Sequence, residues 1–219
     1  MPDRPPSAPG PPPPQWNPID DRLLEEIYTA DQAIYPAPLL TYQRLRSWAA
    51  ACHELSICLR RRGHNPAGTG PAAQGVVIVL PVREECWGRL VAGELREHDV
   101  DPGVMFPPPA GGGGAAGAHP ELVRVGLHVF HVERYSPSAG DGAGRASPFT
   151  LAAMEEVRSR VGQRFPSWKV MGYSALTATP QGNRVFKRLG FKSRYVETKA
   201  DGEGAEMLVR EGNDAFTSS

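Results

Sequence analysis

Residues 174–191, with the sequence SALTATPQGNRVFKRLGF, constrain the fold of this chain most strongly. The pattern predicts a buried strand that leads directly into a short helix. Thr179 is a favourable N-cap, and Pro180 suits the first helical position, where its missing N–H loses no hydrogen bond. Gly190 can adopt the left-handed conformation that ends a helix. The segment therefore predicts a strand–helix unit, which many mixed α/β folds contain.

Hydrophobic periodicity predicts the remaining elements. Helices are expected at residues 19–33, 40–52, 83–95 and 148–161, and strands at 54–60, 75–82, 123–132, 169–178, 191–196 and 205–209. The strand–helix–strand unit from 123 to 178 requires a right-handed crossover and a parallel pair of strands. This order predicts an α/β domain with a mixed sheet.

Proline and glycine runs set the limits of that domain. Residues 1–15 form a proline-rich tail that we expect to be disordered, and its first 14 residues are a candidate docking segment for a polyproline-binding partner. A single domain is expected over 16–211, followed by a disordered tail at 212–219. Flexible loops are expected inside the domain near residues 63–74, 107–119 and 136–147.

Charge and hydropathy exclude several function classes. The chain has 24 Lys and Arg against 24 Asp and Glu, so its formal net charge is zero, which argues against nucleic-acid binding. No apolar run has the length of a membrane span, and the proline-rich start lacks the apolar region of a signal peptide. We therefore expect a soluble, intracellular protein of the cytoplasm, with the nucleus not excluded.

Cysteine and histidine spacing does not predict a metal site. The three cysteines have no Cys-x-x-Cys spacing and are interpreted as reduced and mostly buried. His128 and His131 are three residues apart on a predicted strand, whose side chains alternate with a period of two. The two imidazoles are therefore expected on opposite faces.

The segment that ends at Phe191 resembles the last strand–helix unit of the GNAT family of acetyl-CoA-dependent N-acetyltransferases. From Thr179 it has the spacing Thr-x-x-Gly-x-x-Val-Phe-x-x-Leu-Gly-Phe, where the family has Asn-x-x-Ala-x-x-Leu-Tyr-x-x-Leu-Gly-Phe. The departures at polar or chemically important positions are Thr179, Gly182 and Phe186. The resemblance implies a GNAT-like, mostly antiparallel central sheet with flanking helices around the parallel strand–helix–strand core.

The resemblance also implies acetyl-CoA as co-substrate, bound partly at a helix start. The family binds the pyrophosphate with Gln/Arg-x-x-Gly-x-Gly/Ala, and residues 145–150, Arg-Ala-Ser-Pro-Phe-Thr, fit that placement. Arg145 is retained, whereas proline and threonine replace the two small residues. A register shifted to the glycines of 140–144 is the alternative. The implied cofactor residues here are Arg145, Phe149, Thr150 and Leu151.

A backbone bulge in the fourth strand supplies the next part of the implied cofactor site. In many family members an N–H at this bulge polarises the thioester carbonyl, and the alignment places the bulge at Phe130, His131 and Val132. Thr179 and Phe186 belong to the same implied site. Phe186 occupies the position of the tyrosine that protonates the leaving sulfur, and a phenyl ring cannot donate a proton.

Two residues are candidate bases for the amine proton. His128 lies on the fourth strand, where some family members carry a histidine, and imidazole titrates near neutral pH. The alternative is a strand histidine that hydrogen-bonds within the sheet or faces solvent. Glu133, at the strand end, is the second candidate, and it is otherwise a solvated carboxylate. The acidic run Glu94, Glu97, Asp99 and Asp101 either attracts a cationic amine or is an ordinary wet surface.

The function implied by the resemblance is N-acetyl transfer from acetyl-CoA to an amine, by direct attack in a ternary complex. The acceptor stays open among a small amine, an aminoglycoside-like compound, a peptide N-terminus and a lysine side chain. The alternative is a non-catalytic binding or regulatory module with the same fold, in which Pro148, Thr150 and Phe186 mark lost chemistry.

Overall fold

The structure is a computed structural model that describes residues 15–32, 40–60, 73–108, 122–135, 148–198 and 204–216. In chain order the elements are β1 (Gln15–Pro18), α1 (Asp21–Asp31), α2 (Tyr42–Ala51), β2 (Ser56–Arg60), β3 (Gly75–Arg83), α3 (Glu84–Ala92), α4 (Pro102–Met105), β4 (Val123–Arg134), α5 (Pro148–Arg164), β5 (Trp168–Thr177), α6 (Pro180–Arg188), β6 (Lys192–Thr198) and β7 (Gly204–Glu211). Two short 3₁₀ helices cover His53–Leu55 and Glu97–Asp99.

The strands form one seven-stranded sheet in the order β1-β2-β3-β4-β5-β7-β6. Among the strands of the described residues, only the central pair, β4 and β5, is parallel, with α5 as the crossover between them, and the other pairs are antiparallel. The predicted fold class, a mostly antiparallel mixed sheet around a parallel strand–helix–strand core, is therefore confirmed.

Several predicted boundaries differ from the structure. β1 was not predicted, because a four-residue edge strand that ends in proline carries little periodic signal. The strand expected from residue 54 begins at Ser56, since a 3₁₀ helix comes first. The helix expected to reach residue 95 ends at Ala92, because Gly93 takes a φ of 79° and stops it.

Helices cover both faces of the sheet, and two glycines locate them. A Cβ on Gly75 would lie 2.4 Å from the ring of Phe149 on α5, and one on Gly126 would lie 2.0 Å from the ring of Trp87 on α3. Gly126 pairs with Val82, which is seven residues from Gly75 along β3 and so faces the other way. Hence α5 and α3 cover opposite faces.

The C-terminal segment is packed against the domain as far as Phe216, beyond the predicted end at residue 211. Phe216 is buried, with its ring centroid 4.9 Å from that of Tyr173 and 6.4 Å from that of Phe191. The Arg210 guanidinium lies 4.2 Å from the same ring. The domain therefore extends beyond the expected end at 211 to Phe216, because an aromatic side chain gains burial there.

Other predictions fall on parts of the chain that are not described. These are the proline-rich tail up to residue 14, nearly all of the loops expected near 63–74, 107–119 and 136–147, and the last residues, 217–219. Among the described helices, none has both the length and the apolar composition to span a membrane.

Candidate active site

A cavity opens where β4 and β5 stop pairing. Their parallel register runs from Val123 opposite Trp168 to Val129 opposite Ala175, and no later pair is formed between them. The cavity at this point has a volume of about 560 Å³. Its walls are residues 129–134 of β4, residues 175–179 at and after the end of β5, Phe149 and Thr150 of α5, Gln181, Gly182, Val185 and Phe186 of α6, and Ala30 and Asp31 of α1.

A β-bulge lies at the point where the strands separate. Val79 pairs with Val129 and the adjacent Ile78 pairs with His131, so Phe130 is the extra residue of β4. A bulge was predicted within residues 130–132, and the structure confirms it. Because a bulge interrupts regular pairing, it re-aims the side chains that follow it.

The bulge places His128 and His131 on the same face of the sheet. His128 lies opposite Leu80 and His131 opposite Ile78, two residues apart on β3. The prediction of opposite faces is therefore wrong, since it assumed an unbroken strand with a period of two. Within the described ranges, no group of three or more His, Cys, Asp or Glu side chains is arranged to hold a metal ion.

His128 lies in a buried hydrogen-bonded chain behind the cavity wall. Its side chain is fully buried, with Nδ1 2.9 Å from Oγ of Ser174 and Nε2 2.6 Å from Oε2 of Glu97. The indole of Trp87 donates to the same Ser174 oxygen at 2.9 Å. The hydroxyl hydrogen of Ser174 is then available to Nδ1, and the Nε2–H donates to Glu97. His128 is absent from the cavity lining, and both of its ring nitrogens are engaged.

His131 forms the wall of the cavity together with two carboxylates. Its Nδ1 lies 3.2 Å from Oδ1 of Asp31 on α1, and its Nε2 lies 3.4 Å from Oε2 of Glu133. Burial alone lowers the pKa of His131, but its interactions with the Asp31 and Glu133 carboxylates outweigh burial and raise the pKa to about 9. The ring is therefore an imidazolium at neutral pH.

Asp31 is the part of this cluster that the sequence analysis missed. Leu23, Leu24, Ile27 and Asp31 are the buried residues of α1. Asp31 therefore continues the apolar stripe of the helix, four residues after Ile27. A carboxylate at such a position is unusual unless it is paired, and this was the available signal.

Helix α6 forms another wall of the cavity, and its start and end have the predicted N-cap and terminating glycine. The Thr179 hydroxyl accepts a hydrogen bond from the Gly182 N–H at 3.1 Å, and Gly190 has a φ of 86°. Phe186 is buried, with its ring packed edge-on against Phe191 at a centroid distance of 5.0 Å. A phenyl ring thus lines the cavity where the family resemblance expects a phenol.

The predicted site residues divide into three groups. The cavity lining includes Phe130, His131, Val132, Glu133, Phe149, Thr150, Thr179 and Phe186. His128 and Leu151 are not part of that lining, and Leu151 is half-buried on α5. Arg145 lies outside the described residues, so its assignment stays a prediction.

No protein-family model and no curated protein sequence matches this chain. Solved structures do resemble it. NAA60 of Arabidopsis thaliana, in complex with acetyl-CoA, has a TM-score of 0.55 at 12% identity, over 90% of this chain and 99% of that one. The NatC complex bound to Gag peptide and CoA has a TM-score of 0.50 at 13% identity, over 90% and 98%. The NatB acetyltransferase complex bound to CoA and MES has a TM-score of 0.50 at 7% identity, over 90% and 98%. At these identities the likeness shows the fold, which is that of the GNAT acetyltransferases.

Proposed function

We propose that this protein is an N-acetyltransferase that moves an acetyl group from acetyl-CoA to an amine in a ternary complex. The observation that carries the proposal is the cavity at the end of the β4–β5 pairing, beside the bulge at Phe130. The similar NAA60 structure contains acetyl-CoA, and the similar NatC and NatB structures contain CoA.

The cavity offers groups that suit the two ends of this cofactor. At one end lie Phe149 and Thr150, in the first turn of α5, where backbone N–H groups and the helix dipole favour an anion such as the pyrophosphate. At the other end lies the bulged part of β4, whose backbone N–H groups are the proposed donors to the thioester carbonyl. Arg145 is the proposed cation beside the pyrophosphate.

The proposed reaction is a direct acyl transfer. The amine nitrogen forms a bond to the acetyl carbon, and the negative charge that develops on the carbonyl oxygen is stabilised by donors near Phe130. The carbon–sulfur bond then breaks, the electron pair leaves on the CoA sulfur, and the thiolate takes a proton from water. Glu133 is the proposed base, because it lines the cavity and its side chain is 43% exposed. It takes the proton that the amine nitrogen loses and gives it to the hydroxide that remains when water protonates the thiolate. His128 is left out of the direct mechanism, since it does not line the cavity.

The alternative is a non-catalytic module with the same fold, and Phe186 is the observation that favours it. The ring lines the cavity, but its position lacks the hydroxyl that protonates the thiolate in many family members. A missing general acid commonly lowers the rate by about 10²–10⁴-fold.

Binding of acetyl-CoA is expected for the acetyltransferase and for a non-catalytic module that keeps the cofactor site. It is not expected for a protein of this fold that has lost the cofactor site. Acetyl-CoA at a hundredfold excess over its dissociation constant is expected to raise the free energy of unfolding by about 2.7 kcal/mol, because it binds only the folded state. The shift is read from thermal denaturation of the full chain. Adenosine, which lacks the pantetheine and acetyl groups, is the control and should give little shift. No shift at millimolar acetyl-CoA contradicts the proposal.

Phe186→Tyr tests whether the acid is missing. The new hydroxyl lies on a ring of the cavity wall, so single-turnover acetyl transfer is expected to become at least about tenfold faster if protonation of the sulfur limits the rate. Phe191→Tyr adds the same atom to the neighbouring ring, which does not line the cavity, and serves as the control. An unchanged rate in Phe186→Tyr, with acetyl-CoA still bound, shows that the thiolate leaves without an acid.

A further inference from the structure

The Asp31–His131–Glu133 cluster contains two buried polar atoms that have no hydrogen-bond partner. Asp31 is only 3% exposed, and its Oδ2 has no partner. Nε2 of His131 also has none, although Oε2 of Glu133 lies 3.4 Å away. A buried polar atom without a partner is costly, and in a native protein it calls for an explanation such as a ligand or an ordered water.

The charge of the cluster defines what fits against it. Two carboxylates and one imidazolium leave a net charge of about −1 at neutral pH. A carboxylate oxygen accepts hydrogen bonds and cannot donate them, so the partner of Asp31 Oδ2 must carry an N–H or O–H group. An alkylammonium supplies both the donors and the compensating positive charge. An anionic ligand is repelled.

The cavity is lined by residues from both faces of the sheet. His131 lies on the face opposite to that covered by Phe149, because its partner Ile78 is an odd number of residues from Gly75. The proposed pyrophosphate site at α5 and the cluster at α1 are therefore on different faces. A cofactor that enters along α5 leaves the α1 side for the second substrate.

We propose that Asp31 and Glu133 bind the acceptor nitrogen and select amines that are cationic in solution and carry no carboxylate beside that nitrogen. This inference rests on the proposed function, and it narrows the acceptor class. Asp31 is the specificity-determining residue, and the ion pair with His131 fixes the position of its carboxylate. Free α-amino acids are excluded, because their own carboxylate would lie against the anionic cluster.

Binding of the amine is measured on the full chain through the NMR signal of the His131 ring. Addition of n-pentylamine hydrochloride is expected to shift this signal saturably, whereas the neutral 1-pentanol is not. Asp31→Asn keeps the side-chain shape and removes the charge, so the saturable shift is expected to be lost. Glu25→Gln removes one charge from an exposed position on the same helix and should behave as the wild-type chain does. If Asp31→Asn does not fold, Glu133→Gln at the half-exposed end of the cluster replaces it.

Turnover provides the second readout. Norleucine differs from n-pentylamine by one carboxylate beside the nitrogen. We expect the wild-type chain to prefer n-pentylamine by at least about tenfold in kcat/KM, and Asp31→Asn to reduce that preference to about threefold or less. The absence of a saturable ring shift in the wild-type chain overturns the inference, as does an unchanged preference in Asp31→Asn. A chain that binds n-pentylamine as expected but never transfers an acetyl group contradicts only the proposed function.

Discussion

His128→Ala is expected to lower the free energy of unfolding by about 3–5 kcal/mol, because it leaves the Glu97 carboxylate buried without its partner. Glu97 is 7% exposed, and its Oε2 lies 2.6 Å from Nε2 of His128. The same substitution removes the acceptor of the Ser174 hydroxyl hydrogen, while the bond from Trp87 remains. Urea denaturation of the full chain, monitored by tryptophan fluorescence, measures the loss.

The control for this substitution is His98, which lies next to Glu97 in the 3₁₀ helix Glu97–Asp99. His98→Ala removes a partly exposed histidine, whose side chain is 34% exposed, and is expected to change stability by less than about 0.5 kcal/mol. Glu97→Gln combined with His128→Ala should recover part of the loss, since a neutral amide is less costly to bury than a carboxylate. If His128→Ala lowers the free energy of unfolding by less than about 1 kcal/mol, this contradicts a buried ion pair between His128 and Glu97. If a stable His128→Gln variant still binds acetyl-CoA but has lost turnover, His128 rather than Glu133 is the base.

The second large effect is a loss of stability at alkaline pH. Because the folded-state pKa of His131 is raised from 6.5 to about 9, the imidazolium stabilises the folded chain fully below pH 6.5. This contribution is lost as the pH rises through about 9. The difference between the two pKa values corresponds to about 3 kcal/mol at most.

Asp31→Asn is expected to remove most of this pH dependence, since the carboxylate that stabilises the imidazolium is gone. Glu25→Gln should leave it unchanged. Titration of the His131 ring by NMR assigns the transition to this residue. Glu133 also faces the ring, and Tyr135 interacts with both carboxylates. The pKa of the Tyr135 hydroxyl is raised by burial and then by the charges of Glu133 and Asp31, so it stays neutral throughout the window. If stability depends on pH equally in Asp31→Asn and in the wild-type chain, the pH dependence does not arise from the Asp31–His131 pair.

Local signals were sufficient to predict the units on which the site is built. The cap at Thr179 and the stop at Gly190 depend on short stretches of sequence, and the parallel pairing of β4 with β5 follows from the order strand, helix, strand. The structure confirms each of them. The resemblance to the GNAT family added the bulge, which periodicity alone does not reveal. Capping and turn preferences act within a few residues, so they can be read without the rest of the fold.

Contacts between distant residues account for what the sequence did not predict. Glu97 was placed in an acidic surface run, yet the fold brings it to a histidine 31 residues later. Asp31 meets His131 across 100 positions of the chain. The bulge also reversed the face of His131, because one extra residue shifts every side chain that follows it. Such effects depend on strand register, which single-sequence patterns do not determine.

Acetyl transfer itself is the most direct test of the proposed function. The full chain is incubated with acetyl-CoA that carries a ¹³C-labelled acetyl group and with n-pentylamine, and the labelled amide and the free CoA thiol are quantified by mass spectrometry. Ala178→Trp places an indole against the cavity of about 560 Å³, whereas Ala152→Trp places one on the exposed side of α5. We expect amide and thiol to form in equal amounts in the wild-type chain and in Ala152→Trp, and to fall at least about tenfold in Ala178→Trp. Bound acetyl-CoA without amide for any cationic amine, or undiminished transfer in Ala178→Trp, contradicts an acetyltransferase that works in this cavity.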